Sequence, residues 1–275
     1  MEDLCDLLFE LSNDDRLSIM FELQKEPMKL SNVSKVLDLT PQATSRNLTR
    51  LVEMGLTRRN EISDYVLTPY GASSLKQLES FLFLTENKEY MSTHWTDKLP
   101  SEFQARLGDL RNCERIDDPL DMISNQERVF GDTEAWYKYM TPVRVASHNS
   151  LQFAIDQLEK GTKIRGLEQL EYEPSAKSLA LTPKKDLRTM QDHWVKGNLE
   201  YRYLDEINLK IYMSEKEVAL LSLPKIDGEV DMFGFTSSDP KFHRWCSDLF
   251  DFYWVRSKTK PSSWLQKALA YERTG

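Results

Sequence analysis

The chain has 275 residues, a formal net charge of −8 and a sequence pI near 5.2. Its hydrophobic content of 40% is enough to build a packed core, which excludes an intrinsically disordered chain, and its length predicts two ordinary domains. The acidic balance excludes a protein that coats nucleic acid by bulk charge, so any contact with nucleic acid has to be local.

The sequence also predicts the compartment and the state of the cysteines. The longest purely apolar runs, such as residues 81–84, are far shorter than the ~20 residues that span a bilayer, and no signal-peptide pattern opens the chain. We therefore expect a cytoplasmic protein without a membrane partner. Cys5, Cys113 and Cys246 are odd in number and widely spaced, which indicates reduced thiols rather than a disulfide framework or a metal knuckle.

The first predicted elements are short helices. Apolar residues recur at helical spacing in residues 16–23 and 30–39, and Pro27 separates the two segments. Thr40 before Pro41 predicts the start of a third helix, because the hydroxyl can accept from a free amide of the first turn while proline fills the first helical position. Gly55 is expected to end this helix.

The third helix has two different faces. At about 100° per residue, Thr44, Leu48, Leu51 and Val52 gather on one side. The other side is polar and partly basic, and consists of Gln42, Ser45, Arg46, Thr49 and Arg50. Residues 27–59 contain six basic and two acidic residues, a net charge of +4, whereas residues 1–75 carry −4. The positive charge therefore belongs to a face and not to the domain.

A hairpin and a further helix follow. Residues 56–61 and 65–67 are predicted to pair as two short strands, and Thr68 with Pro69 repeats the helix start signal. The order of helix, turn, helix and two-stranded wing is that of a winged helix. The stretch "TPQATSRNLTRLVEMGLTRR", with "YVLTPYG" after it, resembles the recognition helix, wing and exit of the ArsR-like winged-helix transcription regulators over about residues 10–75.

The resemblance implies a DNA-binding surface. Carried over by position, it puts the start and outer face of the third helix against double-stranded DNA; these residues are Thr40, Gln42, Ser45, Arg46, Thr49 and Arg50. It puts two wing residues, Arg58 and Arg59, near phosphates. Gln and Arg can pair with adenine and guanine edges. Because Glu61 and Asp64 put acid near the tip of a short wing, we expect modest, salt-sensitive affinity unless the protein is a dimer. The alternative is a protein-interaction module that binds no specific DNA sequence.

The segment after the wing favours a homodimer. Leu75, Leu78, Phe81 and Leu82 form a helical stripe that could pair two subunits, as a palindromic operator requires. A second stripe is predicted at Phe103, Leu107 and Leu110, and Asp118-Pro119 is a turn signal near a domain boundary. We expect a winged-helix DNA-binding domain at residues 1–75, a helical linker or dimerisation segment at 76–115 and an effector domain at 116–275.

The C-terminal half reads as a mixed domain. Strands are predicted at residues 162–172, 199–205, 209–213, 218–224 and 231–236, and helices at 183–197 and 240–257. Residues 218–223 are apolar on both faces and so predict a central strand. The last helix is expected to pack on the sheet through Phe242, Trp245, Cys246, Leu249 and Tyr253. The predicted fold class is α+β, an N-terminal winged helix-turn-helix followed by a mixed α/β sensor domain.

A second resemblance covers about residues 120–257. "LEKGTKIRGL", "DEINLKIYMSEKEVALLSLPKIDGEVDMFGF" and "DPKFHRWCSDLFDFYW" are similar to the C-terminal domain of archaeal regulators of the methanogenesis-regulatory type, which implies an archaeal transcription regulator with an effector domain. The resemblance supplies no ligand. Arg144, Arg165 and Arg202 lie in or near predicted strands, and Arg165 and Arg202 are our candidates for holding a small anionic effector, the alternative being surface ion pairs.

Catalytic and metal motifs are not evident. His243 and Cys246 are spaced to share a metal, but no close His or Cys completes a site, so no metal is expected. The sequence has no phospholipase D-type signature, GxSxG motif, P-loop or GxGxxG motif, and we predict no catalytic residue, no cofactor and no enzyme activity. An enzyme assembled from residues on separate strands stays open as a rival.

Overall fold

The computed structural model describes residues 1–142, 148–169 and 183–259. The chain divides into two compact units, Met1–Leu82 and Phe83–Gly275. The domain boundaries predicted at residues 75 and 115 concern segments that fold independently, and they remain predictions. The two units are described separately.

The N-terminal unit has the element order of a winged helix. Its elements are α1 (Glu2–Leu11), α2 (Asp14–Lys25), α3 (Leu30–Val36), α4 (Pro41–Glu53), β1 (Thr57–Arg59), β2 (Tyr65–Leu67) and α5 (Pro69–Glu86), the last of which continues into the second unit. This confirms the predicted helices and the two-stranded wing. It adds α1, an amphipathic helix that the sequence analysis did not identify.

Capping explains the bounds of α4. The side chain of Thr40 accepts a hydrogen bond from the amide of Ala43 at 3.2 Å, and Pro41 occupies the first helical position. At the other end Gly55 has φ 74°, and the amide of Leu56 donates to the carbonyl of Leu51 at 2.9 Å. This left-handed cap satisfies carbonyls that the helix end leaves free. Both predicted helix signals are confirmed.

The core of the N-terminal unit joins α2, α3, α4 and α5. Ile19, Val33, Leu48, Leu51 and Leu75 are fully buried. Full burial of each such side chain contributes about 1.5–3 kcal/mol, so this cluster holds the four helices together.

One buried contact between α3 and α4 is polar. The hydroxyl of Ser34 donates to the hydroxyl of Thr44 at 2.9 Å, which in turn donates to the carbonyl of Thr40 at 3.0 Å. Directional bonds fix the rotation of one helix against the other more narrowly than apolar contact alone. Val52, predicted to lie on the same side of α4 as Leu48 and Leu51, is 42% exposed at the flank of the helix.

The start of α5 is fixed against the end of α4. The hydroxyl of Thr68 accepts from the amide of Gly71 at 3.0 Å and donates to the carbonyl of Gly55 at 2.6 Å. A Cβ atom on Gly71 would lie 2.0 Å from the carbonyl oxygen of Leu56. Only glycine allows this approach of the two backbones.

The second unit is a mixed sheet with helices on both faces. Its described elements, in chain order, are α6 (Lys88–Met91), α7 (Ser101–Gln104), a 3₁₀ turn (Leu107–Leu110), β3 (Glu114–Ile116), α8 (Pro119–Gly131), β4 (Trp136–Thr141), α9 (His148–Glu159), β5 (Lys163–Gln169), α10 (Lys184–Val195), β6 (Leu199–Leu204), β7 (Lys210–Ser214), β8 (Val218–Ser222), β9 (Gly234–Ser237), α11 (Pro240–Arg256) and β10 (Lys258–Thr259). The fold class, a helix-turn-helix domain followed by a mixed α/β region, is confirmed.

Eight strands form the sheet in the order β10-β6-β5-β4-β7-β8-β9-β3. β4, β5 and β6 are parallel to one another, and the remaining pairings are antiparallel. Every residue of β8 is buried and it lies inside the sheet, as predicted. Leu167 of β5 packs in the cluster that contains Trp245 and Leu249 of α11, whereas Ile164, on the other face, packs with residues of α9 and α10.

The structure corrects several details of the sequence-based assignment. β3, β4, α8, α9 and β10 were not predicted. Phe103, Leu107 and Leu110 are buried as expected, but they lie on a short helix and a 3₁₀ turn rather than on one helical stripe. Asp118-Pro119 starts α8 instead of a turn, because the Asp118 carboxylate accepts from the amide of Leu120 at 2.7 Å. The residues from 170 to 172 in the first predicted strand lie outside the described residues.

Candidate nucleic-acid interface

The outer face of α4 is exposed along its length, including Gln42, Ser45, Arg46, Thr49 and Arg50. Around the helix axis, Gln42, Arg46 and Thr49 lie within about 30° of the direction opposite the buried face, and Ser45 and Arg50 lie about 70° to either side. The face thus has a central line and two flanks. Glu53 also lies on the central line and is exposed, so acid follows the basic surface in the last turn.

Arg50 is paired with α1. Its Nε donates to Oε2 of Glu10 at 3.0 Å, and its Nη2 donates to Oε1 of the same carboxylate. The Glu10 side chain is 8% exposed and that of Arg50 is 43% exposed, so the pair lies at the edge of the core. The guanidinium also lies 5.7 Å from the centre of the Phe9 ring.

Arg16 holds the same carboxylate from the inside. Its Nε lies 3.0 Å from Oε2 of Glu10 and donates to the Glu10 carbonyl at 2.8 Å, and its Nη2 donates to the Phe9 carbonyl at 3.2 Å. Arg16 therefore satisfies carbonyls at the C-terminal end of α1. The three side chains Glu10, Arg16 and Arg50 form one ionic network with a net charge of +1.

The network sets the protonation of its members. The hydrogen bond from Arg50 lowers the pKa of the Glu10 carboxyl below its usual value, against the opposing effect of burial, and Arg16 adds to the lowering. The same hydrogen bond raises the pKa of Arg50. Glu10 is therefore ionised at neutral pH.

Arg46 and Arg58 differ from Arg50. Both side chains are exposed, and neither has an ion pair or a hydrogen bond within the described part of the chain. Such arginines can bind phosphate or base edges without first breaking a contact.

The wing presents Arg59 in a fixed position. Its Nη2 donates to the Tyr65 hydroxyl at 2.8 Å, and the guanidinium lies 4.9 Å from the centre of that ring. Tyr65 pairs with Arg59 across the hairpin and also forms a bridge with Met28, whose amide donates to the Tyr65 carbonyl at 3.1 Å. The short wing is thereby anchored to the segment before α3.

Thr40 and three residues outside the predicted set complete the interface. The Thr40 side chain caps α4, so its exposed hydroxyl is already an acceptor within the helix. Glu10, Arg16 and Tyr65 were not among the predicted residues. Tyr65 could have been found from its position opposite Arg59 in the predicted hairpin, but no local signal connects Glu10 with Arg50.

Arg165 and Arg202 are brought together in the second unit. They lie on neighbouring strands, with their guanidiniums 5.4 Å and 4.5 Å from the centre of the Trp254 ring. Arg165 donates to Glu200 at 3.3 Å, and Arg202 donates to the Trp254 carbonyl at 3.3 Å. Arg144 lies outside the described residues.

The described residues contain no group of three or more His, Cys, Asp or Glu side chains that could hold a metal ion. His243 lies 2.8 Å from the carbonyl of Ser214, and Cys246 is buried, which raises the pKa of its thiol. Among the described helices, none is long and apolar enough to cross a membrane.

Comparison with known proteins identifies the N-terminal region. Residues 13–58 match the model of the bacterial regulatory protein, arsR family. A search of curated proteins finds no match.

Several solved structures are similar at low identity. An archaeal chromatin protein, TrmBL2, shares 13% identity over 90% of this chain and 94% of that chain, with a TM-score of 0.41. An O-methyltransferase of neocarzinostatin biosynthesis, NcsB1, shares 11% identity over 72% of this chain and 64% of that chain, with a TM-score of 0.24. An O-methyltransferase family protein from Burkholderia thailandensis shares 12% identity over 74% of this chain and 64% of that chain, with a TM-score of 0.25. TM-scores this low do not establish a shared fold. Residues 13–58, which match that family model, contain the helix-turn-helix elements α2, α3 and α4 and precede a mixed α/β region.

Proposed function

We propose that this protein is a homodimeric DNA-binding transcription regulator whose α4 enters the major groove of operator DNA. The observation that carries the proposal is an ArsR-family helix-turn-helix in which the central line of α4 presents exposed Gln42, Arg46 and Thr49. The side chains of Gln and Arg can pair bidentately with adenine and guanine, and the N-terminal part of a recognition helix is the part that reaches base edges.

The remaining candidate residues are assigned to phosphates. Ser45 lies on one flank of α4, and Thr40 lies at its start, where amides favour an anion. Arg58 is a free cation on the wing, and Arg59 is held in one orientation by Tyr65. These contacts set the position of α4 in the groove and supply sequence-independent affinity.

Arg50 is proposed to bind phosphate at the edge of the groove and not a base. The side-on pair with Glu10 uses Nε and one Nη2 proton, which leaves the outer Nη1 and Nη2 protons for a second anion. Because Arg16 offsets the charge of Glu10, the network stays positive toward DNA. Glu10 then positions Arg50 instead of competing with phosphate for it.

Exposed apolar residues support the dimer. Leu4, Leu8 and Phe9 on α1 and Phe81 on α5 are exposed within the N-terminal unit. Four large apolar side chains at helical positions on two helices favour a protein contact. A C-terminal effector domain of the methanogenesis-regulatory type is part of the proposal, and Arg165 and Arg202 beside Trp254 are its candidate anion ligands.

The test begins with selection of bound sequences from a random pool of DNA duplexes, followed by fluorescence anisotropy across a salt series. We expect enrichment of one motif and a linear fall of log affinity with log salt concentration. Arg46→Ala should weaken operator binding by about 1–3 kcal/mol and relax specificity at one position.

Arg244→Ala is the matched control, since Arg244 is exposed on α11 in the second unit. It should leave both affinity and salt slope unchanged. Enrichment of no motif, or an Arg46→Ala variant that binds as wild type, would count against the proposal and favour the protein-interaction module.

A further inference from the structure

The second unit contains a small cavity at the carboxyl ends of its parallel strands. β4, β5 and β6 end at one edge of the sheet, and β7 starts there because it is antiparallel to β4. In the strand order β6-β5-β4-β7, the connection at residues 205–209 has to pass across the ends of β5 and β4. This is the edge at which open sheets with parallel strands bind ligands.

The connection forms a roof over this edge. Three strand spacings of about 4.8 Å separate β6 from β7, roughly 14 Å in all, and five linking residues are long enough to cross that distance. Ile207 and Leu209 of the connection are buried in the same cluster as α11, so the roof is held down at two points. A cavity of about 210 Å³ lies beneath it.

One part of the cavity lining is apolar. Met140 at the end of β4, Leu204 at the end of β6, Leu209 of the roof and Tyr253 of α11 line it. At about 30 Å³ per water molecule, the volume has room for about seven waters, which is also room for a molecule with one ring or a short branched chain.

Three polar side chains around the cavity are not engaged. Within the described part of the chain, Glu206, Asn208 and the Tyr253 hydroxyl make no hydrogen bond with another residue. Burial raises the pKa of Tyr253, which keeps its hydroxyl protonated. Among the described residues that line the cavity there is no lysine, arginine or histidine, and the charged one is Glu206.

We propose that this cavity binds a small amine, with its apolar body against Met140, Leu204 and Leu209 and its protonated nitrogen at Glu206. The carboxylate of Glu206 and the side-chain carbonyl of Asn208 supply acceptors for an ammonium group, and the Tyr253 ring and hydroxyl orient it. Among the described lining residues an anion would face Glu206 without a counter-charge, so it fits them poorly. The site is separate from Arg165 and Arg202, which do not line the cavity.

The experiment is isothermal titration of the full chain with 2-phenylethylamine as the probe. The matched probes are 3-phenylpropionate, with a similar body and the opposite charge, and neutral 2-phenylethanol. We expect the amine to bind, the alcohol to bind at least tenfold more weakly and the acid to give no heat. The titration needs no DNA, so its outcome is independent of the proposed function.

Variants locate the binding. Glu206→Gln should weaken amine binding at least tenfold, whereas Asp205→Asn, the neighbouring acid that pairs with Lys258 and does not line the cavity, should leave it unchanged. Leu204→Trp should fill the cavity and abolish binding. If Leu204→Trp does not fold, the comparison of Glu206→Gln with Asp205→Asn still tests the proposal. No binding of the amine, equal binding of the acid, or equal effects of Glu206→Gln and Asp205→Asn would each overturn the proposal.

Discussion

The arginines of the winged helix are not equivalent. Arg46 and Arg58 have no ion pair within the described residues, whereas Arg50 shares a carboxylate with buried Arg16. All three have the same side chain, and the sequence pattern predicts that all three are exposed. Their difference arises from Glu10, which lies 40 residues before Arg50 in the chain.

Glu10 gives the N-terminal unit a defined pH dependence. Because its folded pKa is lowered from the usual 4.5, the network stabilises the fold above that value and its contribution is lost as the pH falls through the folded pKa. Glu10→Gln should cost roughly 3 kcal/mol at neutral pH, since it leaves Arg16 buried without its counter-charge. Hydrogen exchange of α4 amides in wild type and variant measures the difference, which should shrink in acid.

Glu2→Gln is the control for Glu10→Gln. Glu2 is an exposed acid on the same helix and forms no ion pair among the described residues, so this change should alter α4 exchange very little. An equal effect of both variants at neutral pH would contradict the role of the network.

Gly71 is predicted to be intolerant of any side chain. Gly71→Ala places a Cβ against the backbone oxygen of Leu56, which cannot move away as a flexible side chain could. We expect a loss of about 1–3 kcal/mol, measured by urea unfolding. Gly131→Ala is the control: a Cβ there meets nothing within 4 Å, so it should be neutral or slightly stabilising. Equal stability of both variants would refute the close approach.

Among the elements, α4 depends on its cap. Thr40→Ala removes the acceptor for the Ala43 amide and should destabilise the N-terminal unit by about 1 kcal/mol. Thr49→Ala changes the same residue type on the exposed face of the same helix, and its stability should stay within about 0.5 kcal/mol of wild type. Circular dichroism of thermal unfolding compares them, and a cost at Thr49 equal to that at Thr40 would argue against the cap.

Elements with local signals were predictable from the sequence. The Thr-Pro starts, Gly55 and the apolar run of β8 each act within a few residues, and each prediction is confirmed. β4 was missed because Lys138 interrupts its apolar pattern. That lysine is buried and lies 2.9 Å from Asp251 of α11, a partner far away in the sequence.

Contacts between residues far apart in the sequence also limited the prediction of the candidate interface. Helical spacing predicted which residues of α4 face outward, and all five are exposed. It could not show that Arg50 is held by Glu10, because that contact depends on how α1 packs. Asp118-Pro119 was misread for a related reason: the pair is compatible with a turn and with a helix start, and only the amides that follow decide between them.

At the scale of the whole molecule, we predict a dimer through the exposed apolar residues of the N-terminal unit. Leu4→Asp should shift the sedimentation coefficient from dimer to monomer and weaken operator binding, because one recognition helix then reaches only one half-site. Ile226→Asp changes an exposed apolar residue of the second unit and serves as the control. A wild-type monomer at all concentrations, or loss of the dimer in both variants, would contradict the predicted surface.

The order of the strands has a consequence during synthesis. Among the described strands of the large sheet, β3 is made first and β10 last, and they occupy the two edges. The partner of β3 is β9, so the described sheet cannot be completed until most of the second unit has left the ribosome. Open strand edges pair readily with other chains, and parallel strands form slowly. The helical N-terminal unit can therefore complete its fold on the nascent chain while the sheet is still open, and chains truncated before residue 258 should aggregate through the exposed edge of β6.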